Sequence, residues 1–350
     1  MVEVRTLSNR DLGELLLRAA SDESGHRKQA LERAVRAARF WPEEAADVAG
    51  AGRSLTELRS VGPWVEERIH AWLDDPPSEV PELDDDTRRG FLTYADVRRV
   101  LDADRAWETT PHADLQVHST DSDGSLPLAE MAAAAHALGR SFMAFTDHSQ
   151  SLRIANGMDE RRLAEQGERI GELNAERGGD GFRILRSIEM DVLSDGSGDM
   201  DPAALARIDL VLGAFHTRLR ATDDQTDRYL AALRNPTVQI LAHPKARMYG
   251  RRRGLEADWP RVFDEAARLG KAVELDATPA RQDLSVDLAR VARAAGVRWF
   301  SIGSDAHSAA ELEFLPFGLA TAALAGVPRE RILNYQPVEA VLAWAAGLRG

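Results

Sequence analysis

Eight side chains between positions 118 and 307 have the types and spacing to do chemistry together: imidazoles at His118, His148, His216, His243 and His307, and carboxylates at Asp123, Glu189 and Asp305. Imidazole nitrogen and carboxylate oxygen are ligands for zinc, manganese or iron, and with no cysteine in the chain neither thiolate ligation nor a disulfide is available. One such histidine alone reads as an ordinary hydrogen-bonded residue. Five of them with three acids in one cavity, without cations, would leave like charges desolvated and unpaired, so the set predicts a metal cluster.

Gathering them requires elements that end at a common face. Short apolar runs DLQV, SFMAFT, FRILRSIEM, IDLVLGAF, VQILA, KAVELDA and RWFSIG alternate with Ala- and Arg-rich helical stretches, the pattern of repeated β-α units around a parallel sheet. These runs end in VHSTDSDG, TDHS, IEMD, FHTR, AHPK, ELDATP and SDAH. In a parallel barrel the loops after the strands converge on one face, which turns these polar endings into one pocket.

Upstream of residue 75 the apolar positions fall three or four apart in LGELLLRAA, HRKQALERAVRAARFW, SLTELRSV and PWVEERIHAWL, predicting a helical domain. DDPPSEVPELDDD, residues 74–86, reads as an exposed linker, and FLTYADVRRVL carries Thr93 and Asp96 at capping-box spacing. The expected organisation is therefore a helical domain over 1–75, a linker and connecting helix over 76–110, and a catalytic α/β domain over 111–350. A length of 350 residues with 44% hydrophobic content suits one large domain and a smaller one.

The net charge of −13 argues against a broad electrostatic grip on nucleic acid and leaves room for a local basic patch. The start, MVEVRTLSNRDLGELLLRAASDE, is too densely charged for a secretory leader, and no apolar run is long enough to span a bilayer. A cytoplasmic protein with no membrane partner is expected.

In order and over the whole of residues 114 to about 335, DLQVHSTDSDG, FTDHS, IEMDVLSDG, LGAFH, ILAHPKARMYGRR, ELDATPARQDL and SDAHS resemble the PHP (polymerase and histidinol phosphatase) family. The likeness is strongest to the PHP domain of bacterial family-X DNA polymerases. It implies a distorted seven-stranded β/α barrel holding up to three divalent ions (Zn, Mn or Fe). One ion would rest on His118, Glu189 and Asp305, a second on Glu189, His216 and His243, and a third on Asp123, His148 and His307. The family motif opens His-x-His, whereas here Gln116 takes the first place, and an amide oxygen is a poor ligand for a transition metal. Three divalent ions bring six positive charges against three from Asp123, Glu189 and Asp305, a surplus that suits a phosphate. The implied reaction is phosphoester hydrolysis by a metal-bound hydroxide, with His118, Glu189 and Asp305 at its centre.

The loop HPKARMYGRRRG sets Lys245, Arg247, Arg251, Arg252 and Arg253 beside His243, and Arg247 and Arg251 are the expected phosphate contacts. Asp147 is expected to orient an imidazole. Glu274, Asp276 and Arg281 also end a strand or follow one, without a ligand role. SLTELRSVGPWVEERI resembles a helix-hairpin-helix, a module that meets a DNA phosphate through a glycine turn, here at Gly62. No segment has the pattern of a polymerase palm, so polymerisation is not expected. Three readings follow: a DNA 3'-5' exonuclease or 3'-end processing enzyme, a small-molecule phosphatase of the histidinol-phosphatase type, and a catalytically weak binding protein associated with DNA repair.

Overall fold

The computed structural model describes residues 6–80, 87–110, 112–179 and 181–349; of the linker expected at 74–86, positions 81–86 lie outside the described residues. The chain divides into two units, Met1–Ala103 and Asp104–Gly350.

The first unit is helical: α1 (Asn9–Ser21), α2 (Gly25–Ala38), α3 (Ala45–Gly50), α4 (Pro63–Asp74) and α5 (Tyr94–Ala103). Ser8 and Asp11 form a reciprocal capping box that starts α1. The leucines at 12, 15 and 16 then fall on one face and are buried with Leu31, Trp41, Val48, Leu55 and Ile69 in a single cluster. Thr93 and Asp96 make the cap their spacing predicts, Thr93 N donating to Asp96 Oδ2 at 3.0 Å and Asp96 N to Thr93 Oγ1 at 3.1 Å. Before α4 the backbone turns through Ser60, which adopts φ 65°, a left-handed conformation that glycine takes more readily. Gly62 caps α4 and Pro63 occupies its first turn. Glu66 accepts from Ser54 Oγ and from Leu55 N, both at 2.7 Å, and so ties α4 to the short turn ahead of it.

The second unit carries seven parallel strands in sequence order: β1 (His112–Val117), β2 (Arg140–Phe145), β3 (Arg183–Asp191), β4 (Leu210–Ala214), β5 (Ile240–Leu241), β6 (Ala272–Asp276) and β7 (Trp299–Gly303). Helices precede, connect and follow the strands. Among them are α6 (Ala106–Thr109), which precedes β1, α7 (Leu128–Ala137), α8 (Glu160–Glu176), α9 (Pro202–Leu205), α10 (Thr226–Arg234), α11 (Trp259–Arg268), α12 (Val286–Ala294) and α13 (Leu315–Ala325), and α14 (Val338–Gly347) ends the unit. All seven apolar runs contribute a strand; VQILA contributes only Ile240–Leu241.

Register pairs Glu189 with Leu212, Leu212 with Ile240, and Ile240 with Ala272, so these positions share a face. The apolar residues of that face, Leu212, Ile240 and Ala272, form one buried cluster with Ala113, Leu115, Phe142, Ala144, Leu185 and Leu210, and Leu333, Val341 and Ala345 of the carboxyl-terminal segment join it. A single cluster drawn from six strands is the lumen of a barrel. It is apolar where the strands begin and becomes polar at Glu189, Glu274 and Asp276 where they end, which puts the chemistry at one mouth.

Strands β1 and β7 complete the circle with few direct ladder bonds: His118 N donates to Ala306 O at 2.8 Å and Asp305 N to Gln116 O at 3.0 Å. Deeper in the barrel the side chain of Asn334 replaces the ladder. Its Nδ2 donates to Ala113 O at 2.8 Å and to Ile302 O at 2.7 Å, and its Oδ1 accepts from Ile302 N at 2.8 Å. Asn334→Ala would orphan three buried backbone groups, so we expect a loss of about 3 kcal/mol. A urea melt should show the fall in midpoint, and an unchanged midpoint would exclude the stitching role.

Candidate metal centre

Each candidate ligand stands at the carboxyl end of a strand. His118 follows β1 and is fully buried, Glu189 lies in the last turn of β3, His216 follows β4, His243 follows β5, and Asp305 and His307 follow β7. Two of them sit in strained backbone: His243 at φ 25° and Asp305 at φ 53°. Non-glycine residues pay for such angles only where surroundings over-determine them, and those surroundings are visible. His243 N donates to Glu274 Oε2 at 2.7 Å, and Asp305 N is held by β1.

Glu189 is the hub. Its Oε1 lies 2.6 Å from His243 Nε2 and 3.1 Å from His216 Nε2; its Oε2 lies 3.2 Å from His148 Nδ1 and 3.5 Å from His118 Nε2. A second focus is Asp123 Oδ1, at 3.3 Å from His307 Nε2, 3.7 Å from His148 Nε2 and 4.0 Å from His118 Nδ1. The third is Asp305 Oδ1, 3.0 Å from His118 Nε2. Within 4.8 Å the ligand atoms fall into three sets: His118, Asp123, His148 and His307; His148, Glu189 and His216; and His118, Glu189 and Asp305. His243 belongs to none of the three sets and meets the hub at Glu189 Oε1. The rings of His118 and His307 stack at 4.2 Å and 15°.

These donors fit divalent cations. His118 Nδ1 and His148 Nδ1 are buried without a hydrogen-bond partner, an arrangement that costs free energy unless something else accepts their lone pairs. Other ring nitrogens are aimed by neighbours: His307 Nδ1 bonds Asp305 O at 2.8 Å, leaving Nε2 toward Asp123, and His216 Nδ1 bonds Asp191 Oδ1 at 2.5 Å, leaving Nε2 toward Glu189.

Burial by itself would raise the carboxyl of Glu189, but His148, His216 and His243 outweigh it and hold that group well below its usual range. Burial pushes His148 down to about 3. Burial also acts to lower His216 and His307, yet Glu189 and Asp191 lift His216 to about 10, while Asp123 and Asp305 lift His307 to about 9. Both lie above the ordinary imidazole value, so in metal-free protein their stabilising effect is complete below about 6.5 and is lost as pH rises through 9 to 10. Zinc requires neutral imidazoles, and its uptake near neutral pH is expected to release protons. Titration calorimetry in two buffers of unlike ionisation heat should give different apparent enthalpies; equal ones would contradict the protonation pattern.

Around the centre, several placements differ from the sequence expectation or escaped it. Asp147 does not face an imidazole: its oxygens accept from Ser119 N at 2.8 Å, Ser119 Oγ at 2.7 Å, Ser122 Oγ at 2.6 Å and Gln166 Nε2 at 2.6 Å, bracing the loop after β1. The orienting acid is Asp191, two residues beyond Glu189 and therefore on the same strand face. Gln116 is fully buried, and with its amide nitrogen directed to Glu274 it stands 2.5 and 2.9 Å from the two carboxyl oxygens. Of the basic loop, Arg251 and Arg253 are exposed, while Arg247 is buried and its Nε donates to Arg281 O at 2.9 Å. Lys245 Nζ donates to Leu255 O at 3.2 Å. Arg281 itself reaches the centre, with Nη1 3.4 Å from Asp305 Oδ2 and 3.8 Å from Asp276 Oδ2.

No family model matches the chain. It is 38% identical over 232 residues to the DNA polymerase/3'-5' exonuclease PolX of Bacillus subtilis, a match covering 66% of this chain and 40% of that protein. It is 29% identical over 168 residues to the protein named probable phosphatase YcdX of Escherichia coli K12, covering 45% of this chain and 66% of that one. The chain thus spans less than two thirds of each of these curated relatives. Among solved structures, the histidinol phosphate phosphatase of Lactococcus lactis, crystallised with zinc, L-histidinol and phosphate, superposes with a TM-score of 0.42 at 15% identity, covering 68% of this chain and 92% of that one. No described helix is long and apolar enough to cross a membrane.

Proposed function

Because the chain belongs to the PHP (polymerase and histidinol phosphatase) family, we propose that it is a metal-dependent phosphoesterase acting on DNA as a 3'-5' exonuclease or 3'-end processing enzyme. The observation that carries this reading is the convergence of five imidazoles and three carboxylates at one mouth of the barrel, centred on Glu189. The residues that would hold divalent ions are drawn from His118, Asp123, His148, Glu189, His216, His243 and His307, and Asp305 stands beside them, 3.0 Å from His118. Bound there, the ions would supply positive charge to the phosphate oxygens and acidify water. The chain's own part is positional. Asp191 fixes the ring of His216, Asp305 O fixes that of His307, and Asp147 braces the turn carrying His118 and Asp123. Arg251, exposed with Arg253 on the neighbouring loop, is assigned to a substrate phosphate, while Arg247 supports the segment bearing Arg281.

DNA as substrate is supported by the 38% identity to PolX. The left-handed Ser60 and the Gly62 cap support a hairpin whose amides face a DNA phosphate, with Pro63 removing one donor. A second reading, a small-molecule phosphatase, is favoured by the likeness to YcdX and by the net charge of −13. We place the protein in the cytoplasm. Purified protein with manganese should shorten 5'-labelled single-stranded DNA from its 3' end. Phosphate release from histidinol phosphate with intact DNA would transfer the assignment to the second reading, and inertness toward both would leave a binding protein.

A further inference from the structure

The third of the three ligand sets, His118 with Glu189 and Asp305, is already served by the chain's own donors. Asp305 Oδ1 is 3.0 Å from His118 Nε2, and its Oδ2 is 3.4 Å from Arg281 Nη1. A neutral imidazole has a single lone pair. His118 Nδ1 has no hydrogen-bond partner and faces Asp123 at 4.0 Å, so the lone pair belongs on that side, where His148 and His307 complete a four-residue set. The Nε2 hydrogen is then the one that Asp305 accepts. The fourth residue that could have contributed, Gln116, lies against the buried Glu274, whose two carboxyl oxygens are 2.5 and 2.9 Å from its amide nitrogen when that nitrogen faces them.

Resting on the metal-centre reading, we propose that this protein works with two divalent ions, not three, and that the Arg281 guanidinium is the resident cation of the third position. One ion belongs to His118, Asp123 and His307, the other to His148, Glu189 and His216, with His243 Nε2 2.6 Å from Glu189 Oε1 beside it. A guanidinium cannot lose its charge or be removed by chelation, so Asp305 keeps a positive partner whatever the metal supply. Arg281 is held for that purpose from both ends, its head between Asp305 and Asp276 and its carbonyl by Arg247 Nε. Burial opposes its charge, yet the surrounding acids Asp305, Asp276, Glu189 and Asp283 raise its pKa further.

The test is metal content per chain by plasma mass spectrometry, after saturation with zinc or manganese and removal of free ion. Wild type and Arg281→Lys are expected to hold two ions, and the double variant Gln116→His with Arg281→Met three. Three ions in the wild type, or two in a folded double variant, would overturn the proposal while leaving a metal centre in place. A wild-type protein that takes up no ion would sink the metal-centre reading as well, which separates the two failures. Should the double variant not fold, cobalt titration of the wild type decides alone: the visible absorption must plateau at two equivalents, and any other end point counts against the inference.

Discussion

Glu189→Ala is expected to lower turnover by roughly three orders of magnitude or more, the scale seen when a principal charge-stabilising group is taken from a desolvated site. Four imidazole nitrogens lie between 2.6 and 3.5 Å from its two oxygens. Removing the carboxylate leaves His148, His216 and His243 facing one another in a dry cavity without an anion, which abolishes cation binding at the hub. An independent sign should accompany the kinetic loss. Glu189 is the largest influence raising His216, so the pKa of about 10 should fall toward the ordinary imidazole range in the variant. Proton NMR titration of the His216 ring reports this without any substrate. Wild-type rates in Glu189→Ala would remove the metal centre from the mechanism altogether.

Asp191→Asn should weaken metal binding by about 10- to 100-fold, the usual consequence of losing the acceptor that fixes a ligating imidazole. The carboxylate accepts from His216 Nδ1 at 2.5 Å, which settles which nitrogen carries the hydrogen and which faces Glu189. An asparagine preserves the shape, but its amide can present a donor to Nδ1, inviting the wrong tautomer. Competition against a chelator of known affinity measures the loss. At saturating metal, kcat should recover most of its wild-type value, because Asp191 acts through His216. A kcat that stays depressed when the metal is saturating would point to direct contact with the reacting groups.

The sequence disclosed the site through its local part. Strand periodicity and the polar endings identify which residues share the mouth, since in a parallel barrel every strand end faces one way. Asp191 was readable by the same logic: a period of two places it on Glu189's face, yet in IEMD it looks like the start of a loop. What could not be read were pairings between distant segments. Gln116 and Glu274 meet across 158 positions, and nothing near either announces the other. The same holds for Asp147, whose place beside His148 suggested an imidazole partner, whereas the fold brings Ser119, Ser122 and Gln166 to it instead. In HPKARMYGRRRG the residue types indicated charge but not direction: only packing decides that Arg247 turns inward while Arg251 faces water. In the helical unit, periodicity located the helices and spacing located the cap at Thr93, but the left-handed turn at Ser60 runs against that residue's own preference and comes from the turn around it.

The side-chain stitch at Asn334 makes the junction of the first and last strands the least laced line of the cylinder. His118 stands on one lip of that line, Asp305 and His307 on the other, and the contact between His118 and Asp305 spans 187 positions of sequence. A cation shared by His118 and His307 would therefore work as a buckle, fastening the two ends of the wall while it serves the chemistry. Stripping it would unfasten the wall along this one line before any helix loosened, so catalytic competence and mechanical closure would be lost together.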